Sequence, residues 1–157
     1  MKIKLYLFLI IFSFTSCMAQ RIGSEKWTGS TEERKLAEKF PWFLEGYGKY
    51  SPDSAYIQEL DKLLARYTIL VFAGTWCKDT QILLPQFYKT TDLSGLTRDK
   101  IELYLLNRKK RSPDKLERKY TITSVPTIIV MKEGIEVGRV VEEVEVSIEA
   151  ELLKLVR

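Results

Sequence analysis

The sequence predicts an α/β domain with a central mixed sheet flanked by helices and preceded by a helical extension. Three observations carry this. Residues 68–73 (Thr-Ile-Leu-Val-Phe-Ala) form an unbroken apolar, β-rich run, as expected of a strand buried on both faces. A second run at 101–106 follows a helical stretch, and a right-handed crossover of that kind makes the two strands parallel. Runs at 126–131 and 135–141, joined by Glu133-Gly134, read as a closing hairpin with an antiparallel edge.

The remaining elements fall in order around these strands. Residues 20–29 read as a flexible tether. Residues 31–40 read as a short helix with Ser30 or Thr31 as N-cap and acids in its first turn. Phe40-Pro41-Trp42-Phe43 should end it, and Gly46 and Gly48 should loosen the chain through Tyr50. Ser51-Pro52-Asp53 starts a helix carrying Tyr56, Leu60, Leu63 and Leu64 on one face to about Arg66. From Cys77 to about Thr90, Leu83, Leu84, Phe87 and Tyr88 recur at helical spacing, and Pro85 should kink that helix. Asn107 to Arg111 is a basic loop, Pro113 opens a helix toward Tyr120, and Ser147 caps a final helix with Ile148, Leu152, Leu155 and Val156 apolar. Helices should cover both faces of the central strands.

A chain of 157 residues suffices for one domain with a substantial core. Its 45% hydrophobic and 29% charged residues place it among globular proteins. The absence of histidine excludes a histidine general base and any histidine metal ligand, and no cofactor is implied. The first residues have the layout of an export signal: Lys2 and Lys4, an apolar run from Leu5 to Phe14 too short for a stable membrane span, then small or polar residues. Two cleavage points fit. Phe14-Thr15-Ser16-Cys17 resembles a bacterial lipobox, which would make Cys17 the lipidated first residue of the mature chain; Cys17-Met18-Ala19 resembles an ordinary small-x-small site. The expected divisions are a signal peptide over 1–19, a tether and helical extension over 20–66, and the main domain over 67–157. Removing a leader that holds two of the 25 basic residues and none of the 21 acids lowers the net charge from +4 to +2, too little to argue for nucleic acid. The expected location is a Gram-negative-type envelope, periplasmic or anchored in a membrane through a lipid on Cys17.

Either cleavage leaves Cys77 as the sole usable thiol. A lone cysteine in an oxidising compartment is either reactive or too buried to matter. Here it follows an apolar strand, a glycine and Trp76, and begins a helix. Unpaired N–H groups at a helix start favour thiolate, the nucleophilic form. Lys78 adds positive charge and Asp79 opposes it. Thr80, one turn on, has a hydroxyl able to donate to the sulfur, and Trp76 offers shielding and an apolar surface. The competing reading is a structural cysteine sealed in the core. Ser124-Val125-Pro126-Thr127 is the second constellation, because a proline opening a strand cannot donate to the ladder.

Taken together, residues 67–157 resemble the thioredoxin family, most closely exported bacterial members with a Trp-Cys-x-Asp-x active site. The matching features are the strand into Trp76-Cys77, Pro85 eight residues past the cysteine, and Val125-Pro126 before a hairpin ending at Val141. The resemblance implies a thioredoxin-like fold, with Cys77 attacking disulfides or other electrophilic sulfur. It implies that Pro126 is cis beside the sulfur and that Val125 presents its backbone to an extended partner strand. Partners would be protein thiols or disulfides, or a low-molecular-weight thiol.

The departures from the family pattern concern one step. Thr80 stands where a resolving cysteine is usual, and Val71 stands where a buried acid often assists proton transfer. Near the end of the last strand, Glu142 replaces a common glycine beside the groove, either narrowing it and repelling acidic partners or remaining a solvated strand-end acid. Trp27, Trp42, Phe43, Tyr47 and Tyr50 form either an aromatic recognition wall or a cover over the core. Arg108-Lys109-Lys110-Arg111 either grips anions or is a solvated loop. Three functions follow: a monothiol exchange protein, with Cys77 and Thr80 at the reacting centre and Trp76, Val125 and Pro126 holding the partner; a binding module using the Trp76/Pro126 groove; and a thiol peroxidase, which lacks a supporting Pro-x-x-x-Thr-x-x-Cys pattern.

Overall fold

Central strand β2 (Thr68–Ala73) follows the pattern read from the sequence, and all but its first residue are buried. The computed structural model describes residues 29–157, so the predicted leader, Cys17 and Trp27 lie outside the described residues. Among the described residues, no helix is long and apolar enough to cross a membrane.

Five strands form one sheet in the order β1-β3-β2-β4-β5. Strand β3 (Ile101–Leu105) runs parallel to β2, pairing Val71 with Leu103. Strand β4 (Thr127–Lys132) runs antiparallel to β2, and β5 (Ile135–Val141) completes the hairpin as the edge. Gly134, at φ 80°, takes the left-handed backbone that the turn requires. The fifth strand is β1 (Gly29–Thr31), antiparallel to β3, in a stretch expected to be tether and helix start.

That pairing corrects the expected N-cap. Thr31 lies in a strand opposite Leu103, so helix α1 (Glu33–Lys39) is preceded by Glu32 with no side-chain cap. A second correction concerns residues 41–49. Pro41 does not merely end α1; it occupies the first turn of α2 (Pro41–Lys49), where a missing N–H costs nothing. Gly46 does not loosen the chain either. A Cβ there would lie 2.7 Å from Cγ of Pro85, so glycine permits α2 to close against α4 (Lys78–Leu93). Helix α4 continues through Pro85 and ends three residues beyond the expected Thr90.

Other elements keep their expected places. Asp53 caps α3 (Ser54–Leu63) by accepting the Ala55 N–H, and Ser147 caps α6 (Ile148–Val156) by accepting that of Ala150. The helix expected from Pro113 shrinks to one turn, α5 (Leu116–Lys119), entered through Lys115 in left-handed backbone.

The helices are divided unequally between the sheet faces. Ile69, Val71, Ala73, Leu103, Leu105, Ile128 and Val130 point into a core built with α1, α2, α3, α4 and α6. Trp42, Tyr47 and Tyr50 pack on its margin and Phe43 lies inside it, which is the core-covering arrangement. The opposite face, Leu70, Phe72, Ile129 and Met131, is covered mainly by residues 106–125 and α5, with Trp76 and Cys77 at its rim.

Candidate functional site

The sulfur sits where β2 hands over to α4. The β2 strand ends at Ala73, Gly74 turns, and the Cys77 N–H donates to the Gly74 carbonyl at 2.9 Å. Cys77 is the N-cap of α4 with extended backbone, and its own carbonyl accepts the Gln81 N–H. The turn is tight because Trp76 folds back over it. A Cβ on Gly74 would lie 2.7 Å from the indole, so only glycine admits this ring position. The indole N–H donates to the Leu106 carbonyl at 2.9 Å, and the Arg108 guanidinium lies 5.7 Å from the ring centroid. Trp76 is thereby fixed as one wall beside the sulfur.

Thr80 is buried completely, and its hydroxyl oxygen accepts the Gly74 N–H at 3.2 Å. The expected hydrogen bond from Thr80 to the sulfur is not formed: the partners of Sγ are Val125 and Asp79, and the Thr80 oxygen serves the turn. The physical reason is local: one helical turn after the N-cap, the hydroxyl points back under Gly74, whose N–H would otherwise be buried without a partner. Gln81 adds a second tie by donating to the Thr75 carbonyl.

Cys77 Sγ is half-buried and is the free cysteine among the described residues. It lies 3.2 Å from the Val125 carbonyl oxygen and 3.8 Å from Asp79 Oδ2. Both neighbours are acceptors, so the single S–H can donate to either, the Val125 carbonyl being the nearer. The Val125–Pro126 peptide bond is cis. The Val125 side chain is buried, and Thr127 Oγ1 donates to the Ser124 carbonyl, which fixes the turn before β4. Trp76, Cys77, Val125 and Pro126 are thus brought together by two separate strand ends. Val71, in place of the family's acid, is buried in the apolar core.

Two neighbours of the site were not singled out as paired groups by sequence. The Pro126 carbonyl accepts the Glu142 N–H at 2.8 Å, which places Glu142 beside the proline in left-handed backbone. Asp79, which the sequence offers as a charge offsetting Lys78, faces the sulfur; its spacing two residues after an N-cap cysteine is the signal for that. The basic loop is largely engaged internally: Lys110 donates to the Thr123 carbonyl, Arg111 lies 3.5 Å from the buried Glu117, and Arg108 faces Trp76. Among the described residues, no group of three or more potential ligands could hold a metal ion.

A central strand delivering a cysteine to a helix start, opposite a cis-proline turn, defines a thiol-bearing α/β protein of thioredoxin-like fold. The family model described as Thioredoxin matches residues 36–150, and the chain belongs to that family. The match includes helices α2 and α3 as well as strands β2 to β5. A crystal structure of a Pseudomonas aeruginosa protein of unknown function is similar, with a TM-score of 0.57 and 20% identity, covering 77% of this chain and 76% of that one. An HIV epitope-scaffold matches with a TM-score of 0.50 and 25% identity over 69% of this chain and 66% of its own. Thioredoxin O2 from Arabidopsis thaliana, in the oxidised state, matches with a TM-score of 0.45 and 15% identity, covering 66% and 89%. A search of curated proteins found no match.

Proposed function

We propose that this protein is a monothiol thiol–disulfide exchange protein of the bacterial envelope, with Cys77 as its nucleophile. The observation that carries this reading is the position of Sγ: at the N-cap of α4, half-buried, and 3.2 Å from the Val125 carbonyl. Asp79 Oδ2, 3.8 Å from Sγ, is placed to take the thiol proton. The sulfur then attacks a partner disulfide R–S–S–R′, forming Cys77–S–S–R and releasing R′–S⁻, which is protonated to R′–SH. Loss of the S–H frees the Val125 carbonyl to accept an N–H from the bound partner.

Thr80 contributes no second sulfur. A second thiol, R″–SH, from a protein or a small molecule, attacks the mixed disulfide, restores the Cys77 thiol and leaves R–S–S–R″. Thr80 serves this site by holding the Gly74 turn, while Trp76, Val125 and Pro126 form the partner-facing surface. The proposal extends to an export leader over 1–19, a lipid on Cys17 or cleavage after Ala19, a tether and helical extension over 20–66, and a redox domain over 67–157.

The test is capture of mixed disulfides from envelope extract, with partners identified by mass spectrometry. Cys77→Ser should abolish capture. The second reading is a binding module without exchange, which holds its partner in the Trp76/Pro126 groove, where the Trp76 indole is fixed on the Leu106 carbonyl. Partner recovery without crosslinking that survives Cys77→Ser, from a Cys77 inert to disulfides, would establish that reading instead. Labelling with palmitate should follow Cys17; a mature N-terminus at Gln20 would replace lipidation with ordinary cleavage.

A further inference from the structure

Beside Cys77, between α4 and the β5–α6 connection, lies a groove of about 270 Å³ lined by Asp79, Ile82, Leu83, Gln86, Glu142, Glu143 and Val144. Its apolar surface is unusual in being open to solvent: Ile82 is 52% exposed. Ile82, Gln86 and Val144 also border a second, larger cleft of about 780 Å³ that continues to Val146, itself 68% exposed, and to Ser147 and Tyr56. The two clefts form one track leading away from the sulfur.

The rim of the near end is acidic. Asp79 stands at its sulfur side, and Glu142 and Glu143 stand on the β5 side. Among the described residues, neither glutamate is in an ion pair, whereas the nearby Glu145 is paired with Lys154 at 3.3 Å. The groove lining contains no lysine or arginine, although the chain as a whole carries a net charge of +4. Lys78, next to Asp79, is exposed and is not among the lining residues. Glu142 is held in position by its N–H on the Pro126 carbonyl, and the Glu143 N–H donates to the Val141 carbonyl. Unneutralised carboxylates around apolar surface match a ligand that is both cationic and apolar.

Building on the exchange reading of Cys77, we propose that its partner is a cationic polypeptide segment. Apolar side chains near its cysteine lie over Ile82 and Val144, and its lysines or arginines meet Asp79, Glu142 and Glu143. A peptide rather than a small thiol is indicated by the length of the track, which continues past Val144 to Val146 and Tyr56. The reaction is disulfide exchange: the Cys77 thiol and the partner's disulfide become a Cys77–partner disulfide and a free thiol.

The experiment uses the full chain and two peptides of equal length. Each carries leucines and one cysteine activated as a 2-pyridyl disulfide, flanked by lysines in one and glutamates in the other. Reaction forms Cys77–S–S–peptide and releases pyridine-2-thione, which carries the proton from the thiol. Each rate is divided by that of neutral 2,2′-dithiodipyridine on the same protein. The lysine peptide should react about fivefold faster at low salt, as expected of a few exposed charge pairs. The preference should shrink at about 0.5 M salt. A Glu142→Lys, Glu143→Lys double variant should reverse it.

Equal rates for both peptides, with Cys77 reactive toward the neutral disulfide, would overturn the groove proposal while leaving the exchange reading intact. If cystamine, a small cationic disulfide, shows the same preference over its neutral analogue, the polypeptide occupant is overturned. If Cys77 proves inert to both peptides and to 2,2′-dithiodipyridine, the exchange reading fails. Calorimetric binding of serine-for-cysteine versions of the peptides then decides the groove: tighter binding of the lysine form sustains it, and equal binding overturns it.

Discussion

The two faces of the sheet have been given different tasks. One face is sealed by five helices, and its strand residues Ile69, Val71, Ile128 and Val130 are fully buried. The other is covered by a loop-rich segment and one helical turn, with an aromatic cluster of Phe72, Tyr104 and Tyr120 at its centre. Cys77 and Trp76 lie at the rim of this thinly covered face. A cysteine opening the helix that faces the thick core would be unreachable if it pointed inward. Placed at the N-cap, it belongs instead to the boundary where partners have access.

The largest effect should separate the two faces by stability. Phe87, completely buried on the inner side of α4, should cost about 3–5 kcal/mol when replaced by alanine. Leu116→Ala, at a half-buried position in the thin cover, should cost less than about 2 kcal/mol. Urea denaturation measures both, and equal costs would break the comparison.

Next in size is the turn between the faces. Thr80→Val keeps the side-chain shape but leaves the Gly74 N–H buried without its acceptor, at a cost of about 1–3 kcal/mol. A variant as stable as the parent would show that Thr80 does not hold the turn.

The thin face also carries a charge whose effect depends on pH. Burial pushes the Glu117 carboxyl up, but the Ser112 hydroxyl and N–H, its own backbone and Arg111 outweigh that and hold it below its ordinary value of 4.5. A depressed carboxyl favours the folded state once it is ionised. The advantage of the parent over Glu117→Gln should therefore be full above about pH 4.5 and shrink as pH falls through the lower folded value. Denaturation midpoints measured down the acid range should show this, and a difference independent of pH would contradict it. Glu33, on the thick side, shifts the opposite way: burial raises it against the lowering influence of Arg98.

The smallest effect concerns the roof over Trp76. Arg108→Ala should cost less than about 1 kcal/mol, because the guanidinium stands 5.7 Å from the ring centroid and is exposed. Its consequence should instead be a change in Trp76 fluorescence quenching, measurable with acrylamide.

Much of the frame was legible in the sequence because it depends on local patterning. The unbroken apolar run identifies β2, the hairpin turns at Glu133-Gly134, Ser51-Pro52-Asp53 leads into α3 and Ser147 caps α6. Cys77 stands at a helix start by the same local patterning, which also carries the family resemblance. The errors came where distant residues decide. Gly46 and Gly48 suggest a loose segment and Pro41 a helix end by their individual preferences, but 41–49 is a helix closed against Pro85. Thr31 suggested a cap until pairing with Leu103 made it a strand.

The sequence by itself determined a cysteine, Cys77, at a strand–helix junction, with threonine at position 80 and valine at position 71. Residue identity alone settles that chemistry. Only the tertiary structure decided what each group faces. Thr80 turns to the Gly74 N–H rather than the sulfur, Cys77 meets the Val125 carbonyl and Asp79, and Glu142 is pinned beside Pro126. Except for Asp79, those neighbours come from a buried backbone donor needing an acceptor or from strands far apart in the chain, and neither is fixed until the sheet closes.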